Sequence, residues 1–309
     1  MKIGTYSKSI YNFYKTLDHL DFELLNLSEQ DQSCEGLIGG RINNDIITKH
    51  PNLKFNYIPY TGLNGINFDL AIKHHITVYN SHEHAKNVAE RAMMLTLSLL
   101  GNLVEYHFNL TKGSFSNRNN ENRVGWVSLF DQKVGIYGYG HIGKELSKLL
   151  APFNCEVMVY DKYPQEEVKN ASSLETLVEL NDIIVIAVPL TSESKEVFDE
   201  RLLVKMCDKF LINVGRGAVV KEEDLYNALN HHTLKGYGSD VWFKYPIEKD
   251  SLSFPSNYPI HEFKNVVMTP HCAAFSEGSK ERVYKKVLMD IDKIVKGFTL
   301  NPVNLDDYK

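Results

Sequence analysis

Val134-Gly-Ile-Tyr-Gly138-Tyr-Gly140-His-Ile-Gly143-Lys-Glu-Leu-Ser-Lys-Leu-Leu150, followed by Glu156-Val-Met-Val-Tyr160-Asp161, is the stretch whose reading decides the fold. Residues 134–137 are a short apolar run of strand type, 138–143 spell G-x-G-x-x-G, and Leu146, Leu149 and Leu150 have helical spacing. Gly138 permits a tight turn, Gly140 lets a pyrophosphate approach the backbone, and Gly143 lets the helix pack closely on its strand. The anion then sits on amides at a helix N-terminus. A second strand, residues 157–160, ends at Asp161, 18 residues beyond Gly143. A carboxylate there would accept hydrogen bonds from an adenosine ribose diol and repel a 2′-phosphate, so the expected cofactor is NAD rather than NADP.

The 309 residues leave room for two domains, each with a sizeable core. The formal net charge of -5 offers no basic excess to neutralise phosphates, which argues against a nucleic-acid partner. Cys34, Cys155, Cys207 and Cys272 are scattered, with no C-x-x-C pair and no His at zinc-ligand spacing, so a reduced cytoplasmic setting and no metal are expected. The chain opens on strand-like Met1-Lys2-Ile3-Gly4 rather than a charged segment and apolar h-region, and nowhere do 18 apolar residues run together. A soluble, unexported protein with no membrane partner is the expectation.

Strand and helix signals alternate along the chain. Residues 36–39, 53–58 and 76–79 read as strands and 45–50 and 68–74 as helices of a small first unit, with a glycine loop, Tyr60-Thr-Gly-Leu-Asn-Gly65, after a strand where ligands bind. Residues 87–102 form a long helix suited to bridge domains, and the Ser-, Asn- and Arg-rich segment 113–123 reads as a loop or arm. Beyond Asp161 the pattern predicts helices at 174–180 and 222–231, strands at 182–188, 210–214, 236–241 and 266–269, and an amphipathic helix over 279–298 that returns to the first domain. This is an α/β chain with a parallel, doubly wound sheet.

At this point the chain resembles the D-isomer-specific 2-hydroxyacid dehydrogenases. Asn87-Val-Ala-Glu90, Val188-Pro-Leu-Thr191, Ile212-Asn-Val-Gly-Arg-Gly217, Gly238-Ser-Asp-Val-Trp242 and Thr269-Pro-His-Cys-Ala-Ala274 arrive in that family's order, beside the glycine motif. The resemblance implies two α/β domains: a Rossmann-type doubly wound sheet over residues 83–275, inserted into a smaller flavodoxin-like substrate domain made of 1–82 and 276–309. It also implies a homodimer that moves hydride between NAD and a small 2-oxo or 2-hydroxy acid such as glyoxylate, hydroxypyruvate or pyruvate.

Carried over residue by residue, Arg216 clamps the substrate carboxylate and polarises its carbonyl, because a guanidinium fork matches an oxo-acid edge. His271 relays the proton of the alcohol, aimed by Pro270, its pKa lying near working pH. Cofactor contacts fall on Gly138, Gly140, His141, Ile142, Gly143, Asp161, Val188, Pro189, Thr191, Asn213, Gly215, Asp240, His271 and Ala273, with Asp240 near the nicotinamide carboxamide. Thr61, Gly62 and Leu63 resemble the loop whose amides hold the substrate carboxylate. Cys272 reads as a small buried thiol, not a nucleophile, since neighbouring side chains point apart.

The departures carry as much weight. Most of the family places a glutamate where Tyr245 stands, pairing with the histidine and raising its pKa. A phenol can accept a hydrogen bond from the imidazole but supplies no charge, so His271 should hold its proton less firmly. Three readings stay open: a reductase favouring lower pH, a formate-dehydrogenase-like hydride transfer needing no acid, and a dinucleotide-binding sensor or scaffold with lost turnover. His84 stands where many relatives have asparagine, and either faces substrate or stabilises the helix entry.

Overall fold

Apolar strand runs followed by amphipathic helices favour parallel sheets covered by helices, and the computed structural model, which describes residues 1–29, 32–63, 65–115, 125–248 and 251–305, contains two such sheets. The first is built from β1 (Lys2–Thr5), α1 (Lys8–Tyr14), β2 (Glu23–Asn26), β3 (Gly36–Ile38), α2 (Asn44–Lys49), β4 (Phe55–Ile58), α3 (Phe68–Lys73) and β5 (Thr77–Asn80). Its strands lie in the order β2-β1-β3-β4-β5, every pair parallel, which is the flavodoxin-like winding. Short polar side chains start the helices: Ser7, Asn43 and Asn67 each accept a hydrogen bond from the amide three residues on.

The second sheet belongs to a run of α4 (Ala85–Leu100), α5 (Leu103–Thr111), β6 (Lys133–Tyr137), α6 (His141–Leu150), β7 (Glu156–Tyr160), β8 (Lys169–Asn170), α7 (Leu174–Leu180), β9 (Ile183–Ile186), α8 (Glu200–Val204), β10 (Phe210–Asn213), α9 (Glu222–Asn230), β11 (Gly236–Ser239) and β12 (Val266–Met268). The order β12-β11-β10-β9-β6-β7-β8 is doubly wound. The chain leaves β6 in one direction through β7 and β8, then returns to β6's other side at β9. The switch point therefore falls between β6 and β9, where α/β sheets bind ligands at their carboxyl ends. Ile136, Leu146, Val159, Val185 and Ile212 form part of a buried cluster with Ala92, Leu95 and Leu99 of α4.

Contacts divide the chain into Met1–His84 with Phe275–Lys309, and Ala85–Ala274. The last helix, α10 (Ser279–Val295), thus belongs to the first unit, where Val283, Val287 and Ile291 pack with Ile3 and Phe55, and the Tyr57 hydroxyl donates 2.6 Å to buried Asp290.

Several local expectations need correction. The helix expected over 87–102 ends at Leu100, because Gly101 and left-handed Asn102 (φ 50°) break it, and α5 follows. Helix α6 begins at His141, ahead of the helically spaced leucines, so Gly143 sits in its first turn. Helix α1, strand β2 and helix α8 were not indicated by periodicity. Residues 116–123 of the expected polar arm lie outside the described residues. No helix among the described residues is long and apolar enough to cross a membrane, all four cysteines are free, and no cluster of three His, Cys, Asp or Glu there could hold a metal ion.

Candidate active site

The three motif glycines serve different ends. At Gly138 (φ 98°) an added Cβ would lie 2.7 Å from Val188 Cγ1, so the loops after β6 and β9 touch at the switch point. At Gly143 it would lie 2.3 Å from the Gly138 carbonyl oxygen, which is how closely α6 packs on its strand. At Gly140 it would meet nothing within 4 Å. That open space adjoins the N-terminus of α6, which no side chain caps and whose first turn has no acidic residue. His141 is exposed there and Ile142 half-buried. Amides, helix dipole and a backbone clear of side chains suit a pyrophosphate.

Asp161 ends β7 and braces this loop: its Oδ2 accepts from the Tyr139 amide at 2.6 Å and its Oδ1 from the Tyr163 amide at 2.9 Å. A carboxylate has about four acceptor sites, so capacity for a ribose diol remains. Across the switch point, buried Ser194 donates to the Pro189 carbonyl at 2.7 Å and accepts from the Thr191 amide at 2.8 Å, fixing the Val188–Pro189–Leu190–Thr191 turn. Gly215 presses on that turn, since a Cβ would sit 2.6 Å from the Val188 carbonyl oxygen. Sequence reasoning did not single out Ser194, although a hydroxyl three residues after Thr191 is a recognisable turn signal.

Arg216 follows β10 on a turn that Asn213 folds. The Asn213 amide oxygen accepts from Gly215 N at 3.0 Å and its nitrogen donates to the Arg216 carbonyl at 3.0 Å. Arg216 is half-buried and gives one guanidinium bond, at 2.7 Å, to the Gly215 carbonyl. The rest of its fork has donors to spare for an acid.

His271 follows β12 in a left-handed conformation (φ 56°), one that histidine adopts more readily than most residues and that His19, His75 and His232 share. The turn is held by Asp240, 1% exposed at the end of β11. Its Oδ1 accepts from the Thr269 hydroxyl at 2.6 Å and the Cys272 amide at 3.1 Å, and its Oδ2 from the Ala273 amide at 2.9 Å. Trp242 Nε1 adds a bond to the Thr269 carbonyl at 2.8 Å. Burial pushes the His271 pKa below its ordinary value, Asp240 pulls it up, and Arg216 pushes it down again.

The Tyr245 hydroxyl, which could accept from the imidazole, takes a backbone partner. It accepts from the Trp242 amide at 2.9 Å, and the Tyr245 ring meets the imidazole as a tilted neighbour, centroids 5.4 Å apart at 46°. The Phe243 and Lys244 amides both donate to the Pro255 carbonyl at 3.1 Å, and the chain so held brings the phenol oxygen back to the Trp242 amide. Burial raises the Tyr245 pKa, against the Trp242 amide and Arg216.

In the first unit, Tyr60 stacks on His84 (5.9 Å, 11°), which is 4% exposed and directly precedes α4. Thr61 donates its hydroxyl to the Ser81 carbonyl at 3.3 Å, and its own carbonyl accepts from Asn80 at 3.0 Å. Leu63 is buried. Among the described residues the Gly62 and Leu63 amides donate to no backbone acceptor.

The doubly wound sheet, its open glycine loop and the acid closing β7 define a dinucleotide-binding α/β protein with an arginine and a histidine at the carboxyl ends of its strands. Residues 93–273 match the model of the D-isomer specific 2-hydroxyacid dehydrogenase NAD binding domain, and the chain belongs to that family. It is similar to the glyoxylate reductase of Thermofilum pendens, 28% identical over 283 residues, covering 89% of this chain and 81% of that one. The hydroxypyruvate reductase of Blautia hydrogenotrophica is 26% identical over 270 residues, covering 84% and 81%. Among solved structures, the PH0520 protein of Pyrococcus horikoshii OT3 superposes with a TM-score of 0.82 at 24% identity, over 98% of this chain and 95% of that one, a likeness of fold.

Proposed function

We propose that this chain is an NAD-dependent oxidoreductase that interconverts small 2-oxo acids and D-2-hydroxy acids of the glyoxylate, hydroxypyruvate or pyruvate class. The observation that carries this reading is the turn of residues 269–273, held by three hydrogen bonds to Asp240 so that His271 stands within electrostatic reach of Arg216. The bound nicotinamide supplies or accepts the hydride. Arg216 holds the acid and draws electron density from the 2-oxo carbonyl. His271 gives a proton to the keto oxygen during reduction and takes it from the hydroxyl during oxidation.

In the same reading, Gly138, Gly140, His141, Ile142 and Gly143 receive the pyrophosphate and Asp161 the ribose. Val188, Pro189, Thr191, Asn213, Gly215, His271 and Ala273 lie along the cofactor, with Asp240 near the nicotinamide carboxamide. The first unit is the substrate domain, where Thr61, Gly62 and Leu63 offer amides to a carboxylate and His84 backs the loop through Tyr60. The free thiols support a reducing, cytoplasmic setting. Exposed apolar side chains on α4 and α5 support a homodimer.

The test is a panel of 2-oxo acids followed by NADH absorbance. Arg216→Ala is expected to lower kcat/KM about a hundredfold or more while NADH binding, read by fluorescence, stays near wild type. Full activity in that variant on every accepted acid would remove Arg216 from the mechanism.

A further inference from the structure

We propose that Asp240 is the charged partner of the relay and Tyr245 its uncharged wall: Asp240 positions and polarises His271 through the turn it holds, while the Tyr245 ring packs beside the imidazole without sharing its proton. This rests on the reading of His271 as the proton relay.

Two sets of contacts assign the roles. The Tyr245 hydroxyl accepts from the Trp242 amide at 2.9 Å, and its ring meets His271 as a tilted neighbour, 5.4 Å between centroids at 46°. Asp240 is bonded to Thr269, Cys272 and Ala273, the residues that bracket His271 on both sides. A buried carboxylate tied to a turn at three points fixes the backbone that aims the ring. It also keeps a negative charge beside a site whose other charge, on Arg216, is positive. The ionisable groups around the imidazole within this unit are Asp240 at the end of β11, Arg216 beyond β10, the phenol of Tyr245 in the loop after β11, and the adjoining Cys272 thiol. Asp240 is the group among them that favours the protonated ring.

A carboxylate in direct contact with the imidazole would act mainly through a hydrogen bond. Asp240 acts through the field and through the turn, so its removal has two separable effects. The titration of His271 should move, and the orientation of the ring should loosen, lowering kcat more than it alters KM.

The decisive measurement is the NMR titration of the His271 ring protons in the full-length chain, assigned by their absence in His271→Gln. It requires no turnover. Tyr245→Phe is expected to leave the midpoint within about 0.2 pH unit of wild type, whereas Asp240→Asn lowers it by about one unit. A Tyr245→Phe shift of half a unit or more would overturn the proposal even if Asp240→Asn fails to fold, and so would an Asp240→Asn midpoint equal to wild type. Tyr245→Glu, which sets a carboxylate beside the ring, is expected to raise the midpoint by about one unit; no movement there would mean that residue 245 does not face the imidazole, and would sink the assignment. A chain that oxidises no NADH with any 2-oxo acid would defeat the proposed function while leaving these midpoints to be read.

Discussion

Burial holds the His271 imidazole below its ordinary pKa, Asp240 opposes that, and Arg216 reinforces it. The direction matters because reduction consumes the protonated ring and oxidation the neutral one. As pH rises through the lowered value, the protonated fraction falls about tenfold per unit, and reductive kcat/KM should fall with it. Oxidation of the 2-hydroxy acid needs the neutral ring and should persist to lower pH than an unperturbed imidazole would allow. Rate profiles from about pH 5 to 8 are expected to show a reductive limb centred below 6.5, the ordinary imidazole value. A limb centred above 7 would mean that a group outside those named sets the proton. The sequence exposes part of this: Tyr245 in the glutamate's place already implies a weaker hold on the proton. The destination of its hydroxyl is not legible, because a bond to the Trp242 amide depends on the path of four backbone residues. The triple role of Asp240 is hidden for the same reason, since its partners lie about thirty residues away in sequence.

Among the elements, β6, α6 and β7 are the most legible because their glycines answer to separate constraints. Gly143 faces backbone, the Gly138 carbonyl at 2.3 Å from an added Cβ, and backbone cannot yield as a side chain can. Gly140 faces open space. Gly143→Ala should therefore force α6 from its strand, at about 1–3 kcal/mol of overpacking, lowering both the melting temperature and NADH affinity. Gly140→Ala should melt as wild type yet bind NADH at least about tenfold more weakly, because its methyl group enters the space a pyrophosphate would take. Thermal melts beside fluorescence titrations separate the two, and a Gly140→Ala that binds normally would displace the cofactor from this loop. Other elements were unreadable for physical reasons. Helix α1 is seven residues long, and of its stripe Ile10, Phe13 and Tyr14 only Ile10 is fully buried, so its period spans barely one turn. Strand β2 is four residues long, and Asp18, Asp21 and Glu23 interrupt the apolar residues around it. Helix α5 buries nothing, and a helix without a buried face has no period to detect.

That last helix bears on the whole molecule. Leu103 and Phe108 of α5 are 60% and 59% exposed, Val104 and Leu110 are exposed beside them, and Met94 and Leu97 of α4 add to the apolar surface. Val104 and Phe108 are four residues apart and so share a face. Monomeric proteins rarely leave large apolar side chains gathered in this way on adjoining helices. A twofold dimer would bury the same face of each copy against the other, using one surface patch twice. The acidic net charge of the chain would disfavour such pairing through long-range repulsion, but α5 itself has a single acidic residue, Glu105, so the face is nearly neutral. Light scattering at micromolar concentration is accordingly expected to give twice the 35.3 kDa chain mass. Leu103→Glu combined with Phe108→Glu should return the monomer mass while the melting temperature reports an intact fold, because neither side chain contributes to a core. A wild-type monomer, or a double variant that remains dimeric, would move the interface away from α5.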